Sequence, residues 1–300
     1  MQYVVLRIHF LQRSGHGNSM TLRQIVEQAK ALVKTTLRSA SVRWHVKRGL
    51  PVPFRHDGAT YYMNPDSSAE YHIANSIQKL QRLVSMVSTP PNVVFDVGGH
   101  CGIFSALTEK AWPTARIYCF EPSLDVLAVA KANCGTAVTL CPYALAERDK
   151  TASLYVNPGA QQTNSLDRQA ASVFLGTGTL IERMIQCRSI DSFASENAIR
   201  KIDVLKIDVQ GSEGDVLRGA TAMLPTVDLL LIESTWMDIS SITQLIPFAL
   251  ESGLVHACVV NPVYLGADLA LSRTPIPAEN TGLVLLKFVI TADLLAQRWC

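Results

Sequence analysis

The sequence predicts an α/β chain, an open and mostly parallel sheet wound by helices on both faces. Three observations carry this. From residue 93 onward, short apolar runs rich in β-branched residues alternate with stretches of helical period. A glycine-rich turn, Gly98-Gly99-His100-Cys101-Gly102, joins the first of those runs to the first helix. Acids stand at or near the carboxyl ends of three of the runs: Asp96, Glu121 and Asp208, where open parallel sheets bind ligands.

Taken in order, residues 19–48 read as a helix. Ser19 or Thr21 can cap it, Leu22, Ile25, Ala29, Leu32, Val33 and Leu37 keep helical spacing, and Gly49 and Pro51 end it. Residues 52–66 suit a hairpin or loop. Residues 68–87 suit a second helix with Tyr71, Ile73, Ile77, Leu80 and Val84 inward. Pro90 and Pro91 then mark a boundary, which divides the chain into a helical N-terminal cap, residues 1–89, and a main domain, residues 90–300. Val93 to Phe95 begins the first strand, and a helix from Ile103 to Ala111 stops before Pro113. A second strand covers Ile117 to Phe120, a helix Leu124 to Asn133, and a third strand Val138 to Cys141. Thr151 to Asn157 reads as a strand. The polar, glycine-containing residues 158–181 read as a mobile loop of the kind that closes over a site. A short strand at 184–188 leads to a helix start at Ser189. Val204 to Val209, Leu229 to Glu233, Ala257 to Val260 and Gly282 to Phe288 supply the remaining strands, with helices from Glu213 and over Ile242 to Glu251.

The glycine turn and the acid on the next strand point to a cofactor containing adenosine. Glycines admit close approach to the backbone, the helix start offers N–H groups and partial positive charge, and an acid in the place of Glu121 can take both hydroxyls of a ribose. The glycines read G-G-x-x-G, without the G-x-G step of dinucleotide enzymes. Asp96 lies two residues before them, where a carboxylate suits a ligand carrying an ammonium and a sulfonium, such as S-adenosylmethionine.

Later residues sharpen this reading. The run Leu205-Lys206-Ile207-Asp208-Val209-Gln210-Gly211-Ser212-Glu213, with Val216-Leu217-Arg218-Gly219-Ala220 after it, joins D-V-G-G-H-C-G and F-E-P. Together they resemble the FkbM family of S-adenosylmethionine-dependent methyltransferases over roughly residues 90–235. The family usually has Glu where this chain has Gln210. The resemblance implies a seven-stranded, Rossmann-like methyltransferase sheet with an antiparallel final hairpin. It implies Asp96, Gly98, Gly99, Gly102, Glu121, Pro122, Tyr143, Ala144 and Asp208 as cofactor contacts, with Glu121 on the ribose and Tyr143 and Ala144 beside the adenine. Asp208, His100 and Glu213 stand as candidates for the catalytic group, and Tyr61, Tyr62, Tyr71 and His72 as acceptor contacts from the cap. The reaction expected is O-methylation of a hydroxyl on a small molecule or sugar, in a biosynthetic pathway.

Composition bounds the alternatives. With 48% hydrophobic residues the 300-residue chain can bury a sizeable core. No apolar run approaches the ~20 residues of a membrane helix. The seven cysteines show neither C-x-x-C nor zinc spacing, so no metal site is expected and reduced thiols in a cytoplasmic protein are. Cys101, in the turn, is expected to be partly exposed. Residues 1–60 carry a net charge of +8 and the remainder −6; the basic end suits an acidic partner or a solvated helix face. Nucleic acid is not expected as substrate, and a homo-oligomer is left open. The rival readings are an NAD(P)-dependent oxidoreductase, which would need the missing glycine pattern, and a catalytically inactive interaction subunit, against which Asp96, Glu121 and Asp208 speak.

Overall fold

The computed structural model describes residues 44–276 except 46, 66–68, 159–160, 173–177, 236–247, 255 and 264–265. Most of the expected helix 19–48, part of the helix at 242–251 and the strand expected at 282–288 therefore lie outside the described residues. The end of the first of these is visible. Gly49 adopts φ 64 and the Leu50 N–H donates to the His45 carbonyl at 3.0 Å, a left-handed helix stop.

Strands β1, Val52–His56, and β2, Ala59–Met63, form an antiparallel hairpin. Its turn is Asp57-Gly58, at φ 46 and 75, the pair of positive φ values that a two-residue hairpin requires. Helix α1, Ala69–Met86, follows. Then come β3, Val93–Val97; α2, Ile103–Ala111; β4, Arg116–Phe120; α3, Leu124–Asn133; and β5, Val138–Cys141. Strands β6, Ala144–Leu145, β7, Lys150–Val156, and β8, Ile181–Arg188, make a separate three-stranded sheet in the order β6-β8-β7. Between β7 and β8 lies the short helix α4, Arg168–Ser172. Helix α5, Ile190–Glu196, begins at Ser189, whose hydroxyl accepts the Ser192 N–H at 3.0 Å. Strand β9, Val204–Ile207, helix α6, Glu213–Arg218, and strands β10, Leu229–Thr235, β11, His256–Val263, and β12, Gly266–Ser272, complete the described chain.

The main sheet has seven strands in the order β11-β12-β10-β9-β3-β4-β5. Five of them, β5, β4, β3, β9 and β10, run parallel; β12 pairs antiparallel with β10 and forms a hairpin with β11. This is the Rossmann-like methyltransferase architecture, in which Gly266–Ser272 is the strand that pairs antiparallel with β10. A strand's alternation sends every second residue to the same face. Phe95, Phe120, Leu205, Ile207, Leu230 and Ile232 pack with Phe193 of α5 and Val216 and Leu217 of α6. Val94, Ile117, Val204, Leu229 and Leu231 pack on the other face with Phe104 of α2 and Leu83 of α1.

Two expectations need correction. In α1, Val84 is 44% exposed whereas Leu83 is buried, as are Asn75 and Lys79, so the inward stripe runs at spacing four through residues 75, 79 and 83. Cys101 is fully buried and packs with Phe54, Tyr61 and Met63 of the hairpin. The hairpin thus covers α2 and α3 near the glycine turn. Residues 161–166 are held in place too: the backbones of Tyr155 and Ser165 exchange hydrogen bonds at 2.9 and 3.2 Å, which fixes this stretch of the expected mobile loop against β7.

Candidate functional site

At the carboxyl end of the parallel strands a cleft is lined by the turn after β3, the tips of β4 and β9, the Gln161–Leu166 segment, and Met63, Asn75, Ser76 and Lys79 from the hairpin and α1. The non-atom space at this cleft, open solvent at its mouth included, is about 960 Å³.

The polar wall of this cleft follows from strand alternation. Asp96 and Lys206 are register partners on β3 and β9. Their even positions send both to the face covered by α1 and α2. The Lys206 ammonium donates to Asp96 Oδ1 at 2.8 Å and to the Gly98 carbonyl at 2.9 Å, and Ser105 of α2 donates to Asp96 Oδ2 at 2.6 Å. Asp96 is wholly buried and lies behind the cleft surface, holding Lys206 in place. Two residues beyond Lys206, Asp208 reaches the same face at the cleft itself. Glu233 of β10 and Asp268 of β12 are also register partners, an acidic pair that would repel if both were ionised.

Lys79 of α1 settles between these carboxylates, 2.7 Å from Asp208 Oδ2, 3.1 Å from Asp268 Oδ1 and 3.9 Å from Glu233 Oε1. Burial alone favours the neutral amine. The charges of Asp208, Asp268 and Glu233 outweigh it and raise the Lys79 ammonium well above the usual lysine range. Burial likewise pushes Asp208 up, but Lys79 and Lys206 overcome it and hold that carboxyl well below the usual range. Glu233 goes the other way: burial and then the Asp208 charge raise its carboxyl well above the usual range. The Gln210 amide nitrogen donates to both Asp208 Oδ1, at 2.8 Å, and Glu233 Oε2, at 2.5 Å.

Glu121, at the tip of β4, lines the cleft beside Pro122. Its oxygens accept the Ser123 N–H at 2.8 Å and the His100 N–H at 3.1 Å. Burial raises its carboxyl to about 7, against those two hydrogen bonds and the Lys206 charge.

The glycine turn serves the chain as much as any ligand. Gly98 and Gly99 both donate to the Phe120 carbonyl at 3.0 Å. Gly98 stands at φ +75, and a Cβ there would lie 1.9 Å from the Asp208 carbonyl oxygen. At Gly99 a Cβ would meet the Cys119 sulfur at 2.2 Å. The glycines therefore let β3, β4 and β9 converge.

Of the residues singled out from sequence, Gly98, Gly99, His100, Glu121, Pro122, Ala144 and Asp208 line the cleft together. Gly102 packs against Ala130 of α3 and against Cys134 just past its end. Tyr143 is turned into the core, its ring 6.1 Å from those of Phe120 and Phe193. Glu213 sits under the turn after β9, where it accepts N–H groups of Val209 and Gly211 at 3.0–3.2 Å. Tyr61 is buried in the hairpin core and stacks on Phe54; Tyr62 lies on the outer side, its N–H bonded to Asn133 Oδ1 at 2.6 Å. The side chains of Tyr71 and His72 lie outside the described residues. The sequence reading missed Lys79, Lys206, Asn164, Glu233 and Asp268. A lysine amid the apolar run of β9 was the available signal, because a buried lysine demands carboxylate partners.

Comparison with known proteins places this architecture. The model of the FkbM methyltransferase domain matches residues 96–251. The 2-O-methyltransferase NoeI of Sinorhizobium fredii is 24% identical over 170 residues, covering 53% of this chain and 70% of that protein. Hexuronic acid methyltransferase AglP of Haloferax volcanii is 23% identical over 171 residues, covering 56% and 67%. Methyltransferase 1 of Beauveria bassiana is 23% identical over 185 residues, covering 54% and 72%. Both of the motif-bearing strand tips, at Glu121 and Asp208, fall within the matched span, and this chain belongs to the FkbM methyltransferase family.

Proposed function

We propose that the protein binds S-adenosylmethionine in this cleft and transfers its methyl group to a hydroxyl of a small molecule or sugar. The observation that carries the reading is the pairing of Glu121 and Asp208 on one cleft, at the tips of strands two positions apart in the sheet. The residues fit the cofactor. Glu121 keeps acceptor capacity for a ribose diol beyond its two backbone bonds. Asp208, held ionised, suits a cationic group. Asp96 contributes by fixing Lys206, and Gly98, Gly99, Pro122 and Ala144 give the walls. Tyr143 acts through the packing of the strand tips. When bound, the cofactor supplies an activated methyl group; the chain has to orient the acceptor and manage its proton.

Asp208 is a weak base at so low a pKa, and we assign it to electrostatic positioning. Glu213 is engaged by backbone N–H groups, and its role is to shape the turn. That leaves His100, on the cleft surface, as the proposed acceptor of the hydroxyl proton. The relatives' names, a 2-O-methyltransferase and a hexuronic acid methyltransferase, support a hydroxyl or sugar acid as acceptor. Residues before 90 are proposed as a cap, because Lys79 reaches the strand tips from α1 and the hairpin covers α2.

Calorimetric titration with S-adenosylmethionine and, separately, with NAD tests the cofactor. Binding of the first alone is expected, and binding of NAD instead would establish the oxidoreductase reading. Incubation with hydroxylated sugars should add one methylene to the product mass; a cofactor-binding protein that modifies no acceptor would favour the interaction-subunit reading.

A further inference from the structure

We infer that Asn164 is the group that recognises the carboxylate of the cofactor's amino acid, an inference that rests on the cofactor assignment above. Asn164 lines the cleft from the segment between β7 and α4. Its Oδ1 accepts the Asn157 backbone N–H at 3.0 Å. A backbone N–H can only donate, so this bond fixes which end of the carboxamide is oxygen. The other end, Nδ2, is buried and has no hydrogen-bond partner. A buried amide donor without a partner is costly and rare, and it calls for an explanation.

The surroundings keep that amide in one orientation. The Asn164 N–H donates to the Gln161 carbonyl at 3.1 Å, Ser165 is bridged to Tyr155, and the Ser165 hydroxyl donates to the Gln210 carbonyl at 2.7 Å. Gln161 is tied in turn to Asn64 of the hairpin, whose Nδ2 donates to Gln161 Oε1 at 2.5 Å. The donor is therefore preorganised between the hairpin and the turn after β9.

Charge decides what it takes. Asp208 lines the cleft as a carboxylate held well below the usual range, and it repels an anion placed beside it. The two ammonium groups on the wall are committed, Lys206 to Asp96 and the Gly98 carbonyl and Lys79 to Asp208 and Asp268. An anionic part of a ligand that also carries a sulfonium and an ammonium must find an uncommitted donor, and Asn164 Nδ2 is one. The same donor could serve an oxygen of the acceptor substrate, and the test separates the two.

Asn164→Asp is the suitable variant, since it keeps an oxygen facing Asn157 and replaces the unpartnered NH₂ with a second oxygen, adding a negative charge. Binding is measured by calorimetry for S-adenosylmethionine and for its decarboxylated form, against both proteins, with no acceptor present. The expected result is a loss on the order of 10–100-fold for S-adenosylmethionine in the variant, and little change for the decarboxylated form. Equal losses for both ligands, or no loss for either, would overturn the inference; the second pattern with a raised KM for the acceptor alone would assign the donor to the acceptor. Should the variant melt early, Asn164→Ser serves in its place. A wild-type protein that binds decarboxylated and intact cofactor equally refutes the carboxylate contact without any variant. Failure of the wild type to bind either ligand would instead remove the cofactor reading itself.

Discussion

Replacing Glu121 with Gln separates its two properties, charge and hydrogen-bond acceptance. Glu121 is 7% exposed, and its carboxyl is lifted from 4.5 to about 7. A lift of that size corresponds to roughly 3 kcal/mol of disfavour for the ionised form. The sign follows from linkage. Between these two values the folded protein holds a proton that the unfolded chain has released, so stability is greatest on the acid side and declines as pH rises toward 7. The glutamine variant loses this dependence. It also gains a fault, because its NH₂ must face either the His100 or the Ser123 N–H, which the carboxylate accepts at 3.1 and 2.8 Å. Leaving one donor unpaired costs about 1–3 kcal/mol, so above pH 7 the two effects nearly cancel and the melting temperatures should agree within several degrees. Ligand binding does not cancel. A diol bound to the ionised carboxylate gains charge-assisted hydrogen bonds of about 1.5–3 kcal/mol, so the variant should bind S-adenosylhomocysteine roughly 10–100-fold more weakly at pH 8. The wild-type affinity should rise with pH through 7 as the carboxyl ionises, and the variant's should be flat. Calorimetry from about pH 5.5 to 8 reads both. Wild-type affinity in the variant, or the same pH slope in both proteins, would refute the assignment of Glu121 to the ligand.

Lys206→Met should lower the melting temperature by on the order of 10 °C, because it strands the wholly buried Asp96 carboxylate; adding Asp96→Asn should recover part of that loss, and an additive double variant would refute the pairing. Lys79→Met should make the protein lose stability as pH rises from about 5 to 8, relative to wild type. Without that ammonium the Asp208 carboxyl, which Lys79 holds down, shifts upward, and an acid raised in the folded state costs stability once ionised; melting curves across the range that stay parallel to wild type would contradict this. Gly98→Ala should fail to give stable folded protein, since φ +75 and a Cβ 1.9 Å from the Asp208 oxygen leave no room; circular dichroism with a wild-type melting transition would show that β9 can retreat.

The core of the fold was legible because it rests on short-range patterns. Val93 to Phe95 reads as the start of a buried parallel strand, which runs on to Val97, and Ile103 to Ala111 reads as the helix after it and is found so. The hairpin turn at Asp57-Gly58 was equally legible, as the dipeptide that favours two positive φ values, yet residues 52–66 were left between hairpin and loop. What could not be read was convergence. Nothing local links Lys79 to Asp208 across 129 residues; the link appears only once α1 is laid on the sheet with Leu83 in the core. The same holds for Asn164, whose meaning depends on the oxygen turned toward Asn157. The strand Gly266–Ser272 was not legible because it carries Asp268 at an inward position, which breaks the apolar run that marks a buried strand. That break is itself functional chemistry, since Asp268 is one of the Lys79 partners.

The resemblance left open what Gln210 does in place of the family's usual Glu, and the geometry gives a physical answer. On the cleft side of the sheet, four carboxyl groups, Asp96, Asp208, Glu233 and Asp268, face two ammonium groups, Lys79 and Lys206. By residue type that is four acids against two lysines, with the Glu233 carboxyl raised well above the usual range by burial and the Asp208 charge. A glutamate at 210 would add a carboxyl between Asp208 and Glu233, where it would need a proton or a further cation to persist. The amide instead donates to both neighbours from one nitrogen, joining them without altering the count. Gln210 holds φ 56, an uncommon backbone state for a residue with a Cβ, and its carbonyl is the acceptor for Ser165. One side chain and one carbonyl thus tie the carboxylate wall to the segment that carries Asn164, so the groups proposed to meet the cofactor's positive and negative ends are set by a single turn.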